Sequence, residues 1–122
     1  MDNFEYRDKT LFCEDVKVED IISEVGTPAY IYSKNAILSR YQELEDAYRD
    51  VNTTICFSVK SNSNLAICKA LAEEGAGFDV VSGGELFRAL KAGGNPSKIV
   101  YAGVGKADGE IRYALENDIF MF

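Results

Sequence analysis

Histidine is absent from this chain of 122 residues, so no Ser/His or Cys/His catalytic pair can form within it. Cysteine is scarce: Cys13, Cys56 and Cys68 are odd in number and lack CxxC spacing, which argues against a disulfide framework or a zinc site. Cys56 and Cys68 sit inside apolar patterns and read as small buried hydrophobes, so a reducing cytoplasm is the simplest compartment. No apolar run approaches the roughly 18 residues that a membrane span needs. The opening "MDNFEYRDKT" is polar and acidic, unlike a signal peptide. Basic residues are outnumbered, and the formal net charge is −7. That balance disfavours nucleic acid or anionic lipid as a partner, and is equally what a mixed, solvated surface carries.

What is present is the composition of one globular domain at most, 47% hydrophobic and 27% charged with two prolines. Apolar residues flank "RDK" between Phe4 and Cys13, the pattern of a short hairpin. Val18, Ile21, Ile22 and Val25 have helical spacing, with Gly26 as the stop. "TPAYIYS", residues 27–33, is rich in β-formers and predicts a strand. Ser33 is suited to cap a helix carrying Ile37, Leu38, Tyr41, Leu44 and Tyr48, which should run to about Asp50.

From Thr53 the texture becomes a regular alternation. Strands are expected at 55–59, 77–81 and 98–102. Helices should follow each, the first capped by Ser63 and ending at Gly75, the second stopped by Gly93 and Gly94, the third over 107–118. "IFMF" then opens a fourth strand. Three successive βα units predict parallel strands with helical crossovers. The fold class is therefore α/β. Because a closed (β/α)8 barrel needs about 250 residues, the chain reads as the N-terminal piece of a longer protein. A complete small α/β domain is the alternative.

One charge interrupts the first of these strands. Lys60 follows the apolar run "TTICFSV" at its C-terminal end, where barrel enzymes keep their functional residues. Among apolar neighbours a lysine loses hydration, its pKa falls, and it becomes a nucleophile for carbonyls. The alternative is a strand-end lysine that reaches out to solvent. Strand alternation puts Ser58 on the face of Lys60. Asp79, mid-strand in "GFDVV", needs a partner, which Lys60 or an amine-bearing ligand could provide, unless it is an ordinary polar strand-end residue. Glu85, in the first turn of the next helix, suits either a site or simply the helix dipole. "GAGFDV" and "GVGKAD" lack the third glycine of a dinucleotide fingerprint, and "GVGKA" lacks the rest of a P-loop.

Taken together, "CFSVKSNSN", "LAEEGAGFDVVSGGELFRALKAG" and "KIVYAGVGKADGEI" resemble the N-terminal half of the alanine-racemase-like, fold type III pyridoxal-phosphate decarboxylases. Residues 75–86 reproduce that family's "GAGFDVVSGGEL" without a change, and the lead-in "LFCEDVKVEDIISEVGTPAYIYS" is also similar. The resemblance implies a TIM-type barrel beginning at residue 34, preceded over 1–33 by a segment of a second, β domain. It implies pyridoxal 5'-phosphate as cofactor and Lys60 as its Schiff-base lysine, with Asp79 and Ser58 on the pocket and Glu85 just outside it. Ser58 and Ser61 stand where the family commonly has alanine. Within the family the motifs are most similar to members that decarboxylate meso-diaminopimelate to lysine. Ornithine, arginine or carboxynorspermidine decarboxylation is the alternative, as is a non-catalytic cofactor-binding relative. The implied partners are a small amino-acid substrate and, for the full-length protein, a second copy in a homodimer, with no nucleic acid, membrane or metal. The ring-stacking histidine, phosphate site and substrate domain should lie beyond Phe122, so this piece alone is expected to be inactive.

Overall fold

The computed structural model describes residues 3–122, which form two compact units, the first ending at Leu44 and the second spanning Glu45–Phe122. The first holds a three-stranded antiparallel sheet, β1 (Phe4–Arg7), β2 (Thr10–Cys13) and β3 (Val16–Lys17). The β1–β2 turn is Asp8–Lys9, one residue narrower than "RDK". Both have positive φ, 47° and 66°, as a two-residue hairpin of matching twist requires. The strand β3 is too short to show a period, and it went unread in the sequence. Helix α1 (Val18–Val25) ends at Gly26, whose φ of 79° suits a residue without a Cβ.

The strand expected over 27–33 does not form: no residue of that stretch pairs with a strand among the described residues. Its β-formers lack a ladder, Pro28 has no N–H to give, and Tyr30 stays 91% exposed. Helix α2 (Lys34–Ala47) stops short of Asp50, residues 48–50 continuing as a turn. Ser33 caps α2 as expected, its Oγ accepting from the Ala36 N–H at 2.9 Å.

The second unit is a βα series. Its parallel sheet runs β4 (Cys56–Ser58), β5 (Gly77–Val80), β6 (Ile99–Tyr101) in that spatial order. Between them stand α3 (Leu65–Glu73) and α4 (Gly83–Lys91), and α5 (Asp108–Glu116) follows β6. "IFMF" contributes one parallel bridge, Met121 to Val100, rather than a full strand. The cap of α3 is Asn64, not Ser63: the Asn64 side chain accepts from the Ala66 N–H at 2.9 Å.

Register explains the two faces of this sheet. Phe57, Phe78 and Ile99 stand in one row, and Val80 and Tyr101 in another. Phe78, Val80, Ile99 and Tyr101 are fully buried with Val59, Cys68, Leu86, Ala89 and Ala114, and Ala92 is buried beside them. Each such large side chain contributes about 1.5–3 kcal/mol by leaving water. With a period of two, the intervening row, Ser58, Asp79 and Val100, lies on the opposite face. Gly77 is required where β5 passes β6, because a Cβ there would press on the Lys98 carbonyl and come within 2.8 Å of Cys56 Sγ.

Candidate functional site

The candidate site gathers at the C-terminal ends of β4 and β5. Ser58 and Asp79 are register partners, and the Ser58 hydroxyl donates to Asp79 Oδ2 at 2.6 Å. Both are half-buried. The partner of Asp79 in the structure is Ser58, one strand away on the same face, where Lys60 or an amine-bearing ligand was expected. Burial first, and then the Asp79 charge, push the Cys56 thiol pKa up.

Lys60 lies one turn further on. β4 ends at Ser58, and residues 59–61 form a 3-10 turn, so Lys60 leaves the strand and the alternation that tied it to Ser58. Val59 is fully buried while Lys60 is exposed. The apolar enclosure expected around the amine is thus not what holds it. Among the described residues no carboxylate pairs with it and no hydrogen bond engages it. Ser61 donates to the Ser58 carbonyl at 2.7 Å and closes the turn, and Asn62 accepts from the Asn64 N–H at 3.1 Å. A primary amine without a partner among the described residues, at a strand end, fits the aldehyde end of pyridoxal phosphate. Among the described residues no group of three or more His, Cys, Asp or Glu is arranged to hold a metal ion.

Glu85 is committed to the β5–α4 junction. Its Oε2 accepts from the Val81 N–H at 2.8 Å, and its own N–H donates to Ser82 Oγ at 3.2 Å. The spacing S-x-x-E is a capping-box signature, which the glycines of "SGGE" obscured.

A second glutamate, unnoticed in the sequence, acts beside it. Glu110 Oε1 accepts from the Gly83 N–H at 2.6 Å and Oε2 from the Ala107 N–H at 2.9 Å. Those two amides, and then the nearby Tyr101 hydroxyl, hold its carboxyl below the usual range. The signal was an acid in the first turn of a helix whose N-cap, Ala107, has no side-chain acceptor. Tyr101 is fully buried, and its hydroxyl has no hydrogen bond of ordinary geometry among the described residues. Burial first, and then the Glu110 and Glu85 charges, push its pKa up to about 12. Lys106 Nζ sits 5.2 Å from the Tyr101 ring centroid and donates to the Gly103 carbonyl at 2.6 Å.

The diaminopimelate decarboxylase of Pseudomonas aeruginosa is 48% identical over 122 residues, all of this chain and 29% of its own length. A solved Aquifex aeolicus structure matches with a TM-score of 0.92 at 47% identity, covering 98% of this chain and 29% of that one. Diaminopimelate decarboxylase from M. jannaschii in complex with L-lysine matches with a TM-score of 0.91 at 32% identity, covering 96% and 28%. The chain thus spans less than a third of the relatives it matches, and its second unit is the opening part of their barrel. Residues 34–122 match the family described as "Pyridoxal-dependent decarboxylase, pyridoxal binding domain", and the chain belongs to that family.

Proposed function

We propose that the natural polypeptide carrying this sequence is a pyridoxal-phosphate-dependent amino-acid α-decarboxylase that converts meso-diaminopimelate to lysine and carbon dioxide. The observation that carries this is the 48% identity to a diaminopimelate decarboxylase along the whole of the chain. Lys60, unpaired among the described residues, would supply the amine that holds the cofactor's aldehyde and would carry a proton at the same place. Asp79, held by Ser58, would line the cofactor pocket at the end of the neighbouring strand. Glu85 fixes the backbone that follows Asp79. When bound, pyridoxal phosphate supplies a sink for the electron pair left as carbon dioxide departs.

We further read residues 1–33 as belonging to a second, β domain and 34–122 as barrel. The working form would be a homodimer in the cytoplasm. No described helix is long and apolar enough to cross a membrane.

The test is borohydride reduction of the intact natural polypeptide with pyridoxal phosphate, followed by peptide mass mapping and a carbon dioxide release panel. The expected result is a reduced adduct on Lys60 and turnover of diaminopimelate above ornithine, arginine and carboxynorspermidine. An adduct spread over other lysines overturns the cofactor reading. Preference for another amino acid overturns the substrate reading.

A further inference from the structure

We propose that Glu110 is a positioning residue for the proposed cofactor site, tying the starts of two successive helices into one rim at the ends of β5 and β6. The inference rests on Lys60 being the cofactor-bearing amine. Val81 lies two residues beyond Asp79, and the next three backbone positions are each governed by a side chain. Glu85 takes the Val81 N–H, Ser82 caps α4, and Glu110 takes the Gly83 N–H. Glu110's other oxygen takes the N–H of Ala107, the residue before α5. One carboxylate thereby sets the spacing between the β5–α4 loop and the β6–α5 loop.

The chemistry demands an acid at this position. Two N–H donors converge on one side chain, and a carboxylate offers two oxygens and no donor. A glutamine has one acceptor oxygen and would turn an NH2 group against one of the two amides. Glycine at 83 is equally specific. A Cβ there would stand 3.2 Å from Glu110 Cγ and 3.3 Å from Oε1, tighter than ordinary contact. Gly83 does not occupy the positive-φ region, so alanine suits its backbone and improves helix propensity. Gly83→Ala therefore loads the clamp while retaining its charge and favouring the helix.

The experiment compares wild type, Glu110→Gln, Gly83→Ala and the exposed control Glu116→Gln in the intact natural polypeptide. Pyridoxal-phosphate affinity, adduct yield at Lys60 and amide exchange at Val81 and Gly83 are measured. Glu110→Gln and Gly83→Ala should each weaken cofactor affinity by about tenfold or more, since small displacements of a site cost on that order. Exchange at Gly83 should quicken by about tenfold in Glu110→Gln, with far-UV dichroism unchanged, while Glu116→Gln should match wild type. Should Glu110→Gln fail to fold, Gly83→Ala decides alone. Wild-type affinity and exchange in the folded variants overturn the proposal. If wild type itself forms no adduct at Lys60, the cofactor reading has failed and exchange alone judges the clamp. Unchanged exchange at Val81 and Gly83 then rejects it.

Discussion

The two units solve the same problem with opposite means. Each contains a glutamate whose carboxylate collects donors at the start of a helix. In the first unit Glu14 Oε1 accepts from the Ser33 hydroxyl at 2.7 Å and the Asn35 N–H at 2.8 Å, and Oε2 accepts from Asn35 Nδ2 at 3.0 Å. Asn3 adds a hydrogen bond to Ser33 Oγ at 2.9 Å. Around this network few side chains are buried: Cys13, Ser33 and Tyr41, while Tyr6 is 74% exposed. In the second unit Glu110 sits above a core of ten buried residues. A unit that buries few of its apolar side chains depends on directional contacts to define its shape. Where a core already fixes the layers, the same chemical device is free to set fine geometry at strand ends. Hydrogen bonds contribute only about 1 kcal/mol each net, whereas packing sums over many contacts.

This comparison can be broken in order of size. Phe78→Ala removes a fully buried ring edge-on to Phe57 and should cost the second unit about 3–5 kcal/mol. Its counterpart in the first unit, Tyr6→Ala, should stay within about 0.5 kcal/mol. Denaturant unfolding followed by amide exchange in each unit measures both, and equal losses would erase the distinction. Gly77→Ala drives a methyl into the Lys98 carbonyl and Cys56, and should cost about 1–3 kcal/mol. A variant as stable as wild type would mean β5 and β6 are not held rigidly. Ser33→Ala removes a cap and a Glu14 partner, and should cost about 1 kcal/mol. Faster exchange at Ala36 with the second unit untouched would sharpen the contrast.

The effects of pH are the smallest near neutrality. The Ser33 hydroxyl and then the Asn35 N–H hold the Glu14 carboxyl below its usual range. A depressed folded-state pKa contributes stability that is present above the ordinary value of about 4.3, and is lost as pH falls through the folded value. Acid should therefore loosen the Glu14 network, seen as exchange at Asn35. Tyr101 carries the opposite sign. Its contribution is whole below pH about 10 and disappears as pH climbs toward about 12. A Tyr101→Phe variant should unfold at the same alkaline pH or higher. Earlier alkaline unfolding of that variant would contradict the assignment.

Much of the fold was legible because its periods are local. The three βα units, the hairpin, and the glycine stops at Gly26, Gly75 and Gly93 follow from spacing and from backbone that glycine tolerates, with φ of 79°, 90° and 92°. Residues 27–33 misled because β-propensity measures fit to a pleated neighbour, and among the described residues this stretch has none. Ser63 misled because two cap-competent residues stand side by side, and only the turn after Lys60 selects Asn64.

Among the site residues, the position of Lys60 after a strand could be read from its apolar approach and from the family's motif. Its release into a 3-10 turn could not, nor could the meeting of Ser58 and Asp79, which are 21 residues apart and joined by register. The sequence by itself determined the strand–helix alternation after Thr53, the family and the amine, because these depend on residue type and near-neighbour spacing. Only the tertiary structure decided which distant groups meet: Asp79 with Ser58, and Glu110 with Gly83. Such pairings arise when parallel strands bring distant segments to one edge, and no local pattern encodes the distance between them.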